Sequence, residues 1–366
     1  MRKRILIKAS GILLPKKGKY ISGIGRSNLA LIKGFEKIND PDLEFILYDQ
    51  SPRRPFYAEN SQRFSYKLYN YLLPEKWFYF TNFESIWRKL NFKYDLLHIT
   101  RNFGSVSKDD NFVLTTHDIY MYNEYPKYQK IFENSIYYSK AIVTCSEFTK
   151  QDIVQFFKVN PNKITVIPWG IDHDLFYPRS AQQIEETKKR FGIPGDYFFA
   201  CSCFHPRKNA DTILAGFRIF MKENKDATLV LTLSNPPKHI LDEYSKEINE
   251  GRIKLLDFVS DEDLATLYSG ALASFLVSSF EGFGFPILES MACGTPCITC
   301  RNSSLEEVGK DKAYYVRERN AEDITQALHY FTQYGKGDVE SLKSYAKTFN
   351  WDSTTRQYID FYKANL

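Results

Sequence analysis

No stretch of this sequence approaches the ~18 consecutive apolar residues of a membrane span. The start, Met1-Arg2-Lys3-Arg4-Ile5-Leu6-Ile7-Lys8, is basic and then briefly apolar. Lys8 cuts that run too short for a signal-peptide core, and no small-residue cleavage site follows. A first buried strand in a cytoplasmic protein is the expectation. A large excess of one charge is also missing. The 49 Lys and Arg against 44 Asp and Glu leave only +5, whereas a general nucleic-acid binder carries a much stronger basic face. No nucleic-acid partner is expected. Cysteines are sparse: Cys145, Cys201, Cys203, Cys293, Cys297 and Cys300. Cys297-x-x-Cys300 has no second ligand pair at matching spacing, so no metal site is expected there. Pro296 to Cys300 reads instead as a short buried strand whose thiols act as small hydrophobes. Reduced thiols without an export signal also point to the cytosol.

What is present is an ordinary globular composition, 43% hydrophobic and 25% charged, which excludes large-scale disorder, collagen and coiled coil. A length of 366 residues suggests two domains. Aromatic residues reach 16%, and 14 of them fall between Arg53 and Tyr94. That stretch holds eight Lys and Arg against three Glu, so it carries the net charge of the whole chain. Trp77-Phe78-Tyr79-Phe80 and Trp87-Arg88-Lys89 mix rings with cations. Two readings stay open: a helical insertion packed on the first domain, or a peripheral membrane contact at the inner face through 53–94. In the second reading cations attract anionic lipid and rings sit among the headgroups.

Short apolar runs alternate with amphipathic helical patterns from end to end, which predicts parallel sheets covered by helices. Strands are expected at 5–9, 43–48, 96–100, 112–116, 141–145 and 164–167. Helices are expected at 27–38 and, behind Ser146 as N-cap, at 147–157. Residues 171–192 show no strand pattern and read as the domain link. The alternation then restarts, with strands at 197–203, 228–233, 253–258, 273–277 and 297–299. Helices are expected at 210–221, 240–249, 261–269 and 286–292. The result is an α/β protein of two Rossmann-like domains, residues 1–172 and 173–350, facing each other across a cleft. Residues 351–366 form a terminal amphipathic helix packing back on the first domain. Ligands in such sheets bind at the carboxyl ends of strands.

The most informative segment is Ser279-Phe280-Glu281-Gly282-Phe283-Gly284-Phe285-Pro286-Ile287-Leu288-Glu289. A strand runs into a turn with two glycines, and Pro286 suits a first helical turn. The glycines admit a ligand to the backbone, and the helix N-terminus offers free N–H groups and partial positive charge. Glu281 and Glu289 both face that end. A carboxylate is repelled by phosphate, so they suit neutral hydroxyls, such as those of a sugar and a ribose. Pro206-Arg207-Lys208-Asn209 follows a strand, and two adjacent cations there suit a diphosphate. Gly23-Ile24-Gly25 is not a dinucleotide fingerprint, because Asn28 stands at the third glycine position. Gly11 to Lys19 is not a P-loop, since its glycines are seven apart. On the residues alone, Gly23 to Gly25 are a flexible strand–helix turn.

Glu281-Gly-Phe-Gly-Phe-Pro-x-Leu-Glu289, followed by Met291-Ala292-Cys293-Gly294-Thr295-Pro296, closely resembles the signature of the family 4 retaining nucleotide-sugar glycosyltransferases. The resemblance spans nearly the whole chain. Gly23-Ile24-Gly25-Arg26 resembles the family's glycine loop. Thr116-His117-Asp118 and Thr144-Cys145-Ser146-Glu147-Phe148-Thr149 resemble two further segments. Val166-Ile167-Pro168-Trp169-Gly170-Ile171-Asp172 resembles Val-Ile-Pro-Asn-Gly-Val-Asp. Ser303-Ser304-Leu305-Glu306-Glu307-Val308 resembles Ser-Ser-Leu-Pro-Glu-Val, with Glu306 for the usual Pro, and is more often architectural.

The resemblance implies a GT-B fold and transfer of a hexose from a nucleoside-diphosphate sugar to a glycan or lipid-linked acceptor, with retention. Arg207 and Lys208 would neutralise the leaving diphosphate. Glu281 would hold sugar hydroxyls, and Glu289 the ribose. Gly23, Gly25, Gly282, Phe283, Gly284 and Phe285 would frame the donor. His117 would contact the donor sugar, for example at its 6-hydroxyl, while Asp118 would cap or orient the turn. His98 and Arg101, at another strand end, are candidates for acceptor or donor contact, and His205 for packing. Asp257 stands where many members have Gly, in a loop that borders the base. GDP-mannose is favoured over UDP-sugars, because Gly-Ile-Gly-Arg with Pro-Arg-Lys-Asn resembles mannosyltransferase-like members. No cofactor or metal is expected, since no Asp-x-Asp motif sits in a matching place. The competing readings are a non-catalytic sugar-nucleotide-binding subunit, an epimerase and a phosphorylase.

Overall fold

The computed structural model describes residues 2–9, 23–50, 65–69, 83–232, 236–257 and 259–366. The chain divides into two units, Met1–Gly170 with Trp351–Leu366, and Ile171–Asn350. In the first, β1 (Lys3–Lys8), β2 (Leu43–Gln50), β3 (Ser65–Tyr69), β4 (Leu96–Ile99), β5 (Phe112–Thr116), β6 (Ala141–Thr144) and β7 (Ile164–Val166) form a sheet. Its order is β3-β2-β1-β4-β5-β6-β7. In the second, β8 (Tyr197–Ala200), β9 (Thr228–Thr232), β10 (Ile253–Leu256), β11 (Ser274–Leu276), β12 (Cys297–Cys300) and β13 (Tyr314–Val316) are ordered β10-β9-β8-β11-β12-β13. All the pairings are parallel. Both units are Rossmann-like.

In each sheet the strand order reverses once, between β1 and β4 and between β8 and β11. Loops leaving those two strands diverge, and the crevice outside their carboxyl ends is where such sheets hold ligands. In the second unit this singles out the segments after Ala200 and after Leu276.

Local chemistry sets several helix starts. Ser146 accepts a hydrogen bond from the Thr149 backbone N–H at 3.1 Å and starts the helix Glu147–Phe157. Several elements depart from the expectation. The helix Gly23–Ile38 begins four residues before Ser27, so Gly23 and Gly25 lie in its first turn and not in a loop. The apolar stripe starts only at Leu29, but a backbone helix can extend beyond its buried stripe. Residues 171–192 contain the helix Ala181–Phe191, closed by a capping box of Ser180 and Gln183 and by left-handed Gly192. It is mostly polar and charged, with Ile184 and Phe191 its only large apolar residues, which hides the helical period. The single helix expected at 240–249 is two, Lys238–Glu243 and Ser245–Asn249, broken at the buried Tyr244, whose ring lies 3.8 Å beneath the Arg218 guanidinium.

The terminal helix Trp351–Ala364 buries Tyr358, Ile359, Phe361 and Tyr362 against Leu31, Ile32 and Phe35 of the first unit. The approach is close: a Cβ on Gly34 would stand 2.0 Å from Thr355 Oγ1, so only glycine fits.

Of the segment 53–94, β3 and the helix Phe83–Asn91 are described; Trp77 to Phe80 and Gly11 to Lys19 lie outside the described residues. Arg88, counted above among the lipid-facing cations, is fully buried. It donates to Asp110 Oδ2 at 3.0 Å and to the Ser105 carbonyl at 2.9 Å, and pairs with Glu84 at 3.1 Å. Lys8, at the end of β1, pairs with the same Glu84 at 2.7 Å. Burial works against ionising Glu84, but Lys8 and Arg88 together hold its carboxyl below the ordinary value. Among the described residues no helix is long and apolar enough to cross a membrane.

Candidate active site

The switch point of the second sheet gathers most of the expected residues. After β8 the chain forms a short 3-10 turn, Pro206–Lys208. His205 Nδ1 accepts from the Arg207 N–H at 3.4 Å, so His205 caps this turn. Asn209, left-handed at φ 52°, opens the helix Ala210–Phe220. Its amide donates to the Val277 carbonyl at 2.8 Å and to Ser279 Oγ at 3.1 Å, while the Ser279 N–H donates to the Arg207 carbonyl at 2.7 Å. The two loops are thereby stitched together, which places both cations beside Glu281.

Glu281 is buried and accepts from three donors. Lys208 Nζ lies 2.5 Å and Ser278 Oγ 2.8 Å from Oε1, and Arg207 Nη1 lies 2.6 Å from Oε2. Burial alone would raise its pKa; Lys208 and then Arg207 override that and bring it down to about 2. Glu281 is therefore an anion at neutral pH, and its three donors leave about one of its roughly four acceptor positions open. It cancels one of the two cations and fixes the direction of both. The group keeps one net positive charge, at the start of the helix Phe285–Ala292.

That helix is shaped for backbone approach. Gly284 takes φ 116°, which side chains rarely adopt, and a Cβ there would lie 3.2 Å from Leu305 Cδ2. Ser304 Oγ lies 2.8 Å from the carbonyls of both Glu281 and Phe283 and shares its one proton between them, and Ser303 Oγ accepts from the Glu281 N–H at 3.2 Å. Ser303 and Ser304 thus hold the turn from behind. Gly282 and Phe283 are buried, and Phe285 is half-buried. The Glu289 carboxylate accepts from the Tyr268 hydroxyl at 3.2 Å, one helical turn from Phe285.

Two family models together cover most of the chain. The one described as Glycosyltransferase Family 4 matches residues 21–175, and the one described as Glycosyl transferases group 1 matches residues 183–349. The chain belongs to the family 4 glycosyltransferases. It is 28% identical over 294 residues to an O-antigen chain mannosyltransferase B of Escherichia coli, covering 76% of each chain. It is 26% identical over 238 residues to a probable sucrose-phosphate synthase of Thermosipho melanesiensis, covering 61% of this chain and 54% of that one. Among solved structures, an Anabaena protein crystallised with UDP and glucose superposes with a TM-score of 0.76 at 14% identity, over 99% of this chain and 100% of that one. This glycosyltransferase has the GT-B fold and resembles the mannosyltransferase members of its family.

The remaining expected residues of the glycosyltransferase lie in its first unit or outside the group around Glu281. His117 follows β5 and is buried. Its N–H is accepted by Asn102 Oδ1 at 2.7 Å, and its ring Nε2 lies 3.0 Å from the Thr100 carbonyl. A carbonyl only accepts, so Nε2 carries the ring proton and Nδ1 presents a lone pair. Among the described residues Nδ1 is buried without a partner. Burial lowers the ring pKa to about 4 against the Thr100 carbonyl, which favours the protonated ring, with the Arg101 charge adding to the lowering.

His98 is corrected. It is fully enclosed, with Tyr362 OH 2.7 Å from Nδ1 and Thr115 Oγ1 2.7 Å from Nε2. Both ring nitrogens are used by packing, so no ligand can reach them. Arg101 is partly exposed just after β4. Gly23 is exposed and Gly25 buried on the first helix. Asp118 accepts from the Tyr120 N–H at 3.1 Å, orienting the turn. Asp257 is exposed after β10, and Glu306 pairs with Arg301 at 2.6 Å on the surface. Cys297 and Cys300, three apart on β12, point to opposite faces of the sheet and cannot share a ligand. Asn209 and Ser278 were not singled out beforehand. Asn209 stands where a cap would, but its side chain ties the two loops together and does not cap the helix, so local sequence gives no sign of its role; Ser278 offers none either.

Proposed function

We propose that this enzyme transfers a hexose, mannose by preference, from a nucleoside-diphosphate sugar to a glycan or lipid-linked acceptor, with retention at the anomeric carbon. The observation that carries the reading is the Arg207–Glu281–Lys208 group at the start of the helix Phe285–Ala292. It offers two directed cations and a row of N–H groups to a diphosphate as its negative charge develops. Preorganised charge of this kind is usually the largest catalytic term. The bond from C1 to the diphosphate oxygen breaks and the acceptor oxygen bonds C1 on the same face. The acceptor's proton passes to the leaving phosphate. No enzyme carboxylate serves as nucleophile. Glu281 and His117 Nδ1 accept sugar hydroxyls, Glu289 the ribose, and Gly282 to Phe285 let the donor meet the backbone. Mannose is favoured by the likeness to the Escherichia coli mannosyltransferase; the UDP and glucose of the Anabaena structure keep UDP-sugars as the second choice.

In this reading Arg207 and Lys208 do the work a metal would do at the leaving diphosphate. Turnover of the donor therefore survives thorough EDTA treatment. Loss of turnover that returns on adding Mg²⁺ or Mn²⁺ contradicts this part of the reading.

The protein would work in the cytoplasm at the inner face of the membrane. Ile86 and Leu90 stand 56% and 80% exposed, one turn apart on the helix Phe83–Asn91, beside the half-exposed Lys89. Co-sedimentation with anionic vesicles, weakened by Leu90→Glu, checks this placement, and no sedimentation of the wild type rejects it.

A further inference from the structure

We infer that Trp169 is a positioning residue that keeps His117 neutral, with Nδ1 as a hydrogen-bond acceptor. The inference deepens the proposed sugar contact of His117 and rests on it. Trp169 follows β7 in Ile167-Pro168-Trp169-Gly170, at the last residues of the first unit before Ile171. Its side chain is buried, and its ring centre lies 5.0 Å from the His117 ring centre at an interplanar angle of 50°. The terminal helix fixes it there. Thr354 Oγ1 donates to the Pro168 carbonyl at 2.8 Å, and the Trp169 indole N–H donates to the Tyr358 hydroxyl. Tyr358 in turn is 3.3 Å from Thr115 Oγ1, which meets His98.

Three constraints therefore act on one imidazole. The Thr100 carbonyl takes the Nε2 proton, so the tautomer is set. Asn102 holds the backbone. Trp169 covers the ring and excludes water from it. The charged and titratable groups around His117 do not oppose this. Arg101 lies after β4, His98 on β4, Cys145 after β6, and Tyr358 beyond Trp169. Asp118 follows in sequence, engaged by Asn102 and the Tyr120 N–H, with Asp152 behind it. Among the described contacts no carboxylate reaches the ring to stabilise an imidazolium.

Neutrality has a chemical purpose. A glycosyl-transfer transition state carries positive charge on the sugar ring. An imidazolium beside it would add repulsion and replace the acceptor lone pair with a proton. A covering indole prevents protonation without supplying a charge of its own.

The test combines an NMR titration of the His117 ring, assigned with His117→Ala, with kcat and KM for the donor across pH. Trp169→Leu shortens the cover and admits water. The His117 pKa then rises from about 4 toward the ordinary value. With the pKa at about 6.5, only about one ring in eleven is neutral at about pH 5.5, so kcat falls about tenfold there relative to about pH 8. Trp169→Phe refills the space without the indole N–H and keeps the wild-type titration. An unchanged His117 titration in Trp169→Leu overturns the inference, whatever happens to activity. If His117→Ala keeps wild-type kcat/KM while Trp169→Leu still moves the titration, the sugar-contact reading fails and the hold of Trp169 on the ring stands.

Discussion

Lys208→Met lowers kcat/KM for the nucleotide sugar by about ten- to hundredfold, or more. Charge-assisted hydrogen bonds are worth roughly 1.5–3 kcal/mol each, and each ~1.4 kcal/mol off the barrier is tenfold in rate. The loss is concentrated in kcat, because negative charge on the diphosphate grows as the sugar departs, and only interactions that strengthen then accelerate the step. Glu281 keeps Arg207 at 2.6 Å and Ser278 at 2.8 Å, so the carboxylate is not stranded. The far-UV spectrum and melting of Lys208→Met should therefore stay close to wild type. Steady-state kinetics reads the effect. A folded Lys208→Met enzyme with wild-type kcat removes Lys208 from the mechanism.

Arg88→Met gives the largest loss of stability, on the order of 3–5 kcal/mol. Arg88 is fully buried and is bonded to Asp110, to the Ser105 carbonyl and to Glu84. Ser85 and the Ser107 N–H also donate to Asp110, and Lys89 pairs with it at 3.2 Å. Removing the guanidinium leaves Glu84 with Lys8 and Tyr48 but takes the innermost partner from Asp110. A buried carboxylate short of a cation costs far more than a surface pair gains. Urea unfolding measures this, with the midpoint moving to much lower denaturant. A midpoint like that of the wild type would mean that the buried cation contributes nothing net.

These two cases mark what the sequence could show. The site around Lys208 was readable because its decisive signals are local. Two cations follow an apolar run, and Glu-Gly-x-Gly-x-Pro announces a turn, a left-handed glycine and a helix start within a few residues. Arg88 was not readable in the same way. It lies in a run of rings and cations, and its burial depends on Lys8 and Asp110, contributed by distant strand ends. The histidines divide likewise. His98 and His117 both sit near strand ends, and nothing local separates them. The difference comes from Tyr362, 264 positions from His98, which arrives on the terminal helix and closes the His98 ring. Trp169 reaches His117 by the same long-range route. The helix Ala181–Phe191 was missed for the opposite reason: its capping box was local and legible, but its charged surface has no apolar stripe to give the period.

The most direct test of the central claim is a thermal-shift panel of GDP, UDP, dTDP and ADP and their sugars, with EDTA present. It needs no knowledge of the acceptor. A ligand at about 100 times its dissociation constant adds about 2.7 kcal/mol of stability, which moves the melting midpoint visibly. The account predicts one clear nucleotide family, GDP first, with the shift of the free diphosphate, which carries the leaving group's full charge, shrinking in Lys208→Met. No shift with any nucleotide or nucleotide sugar would contradict a donor site at Arg207, Lys208 and Glu281.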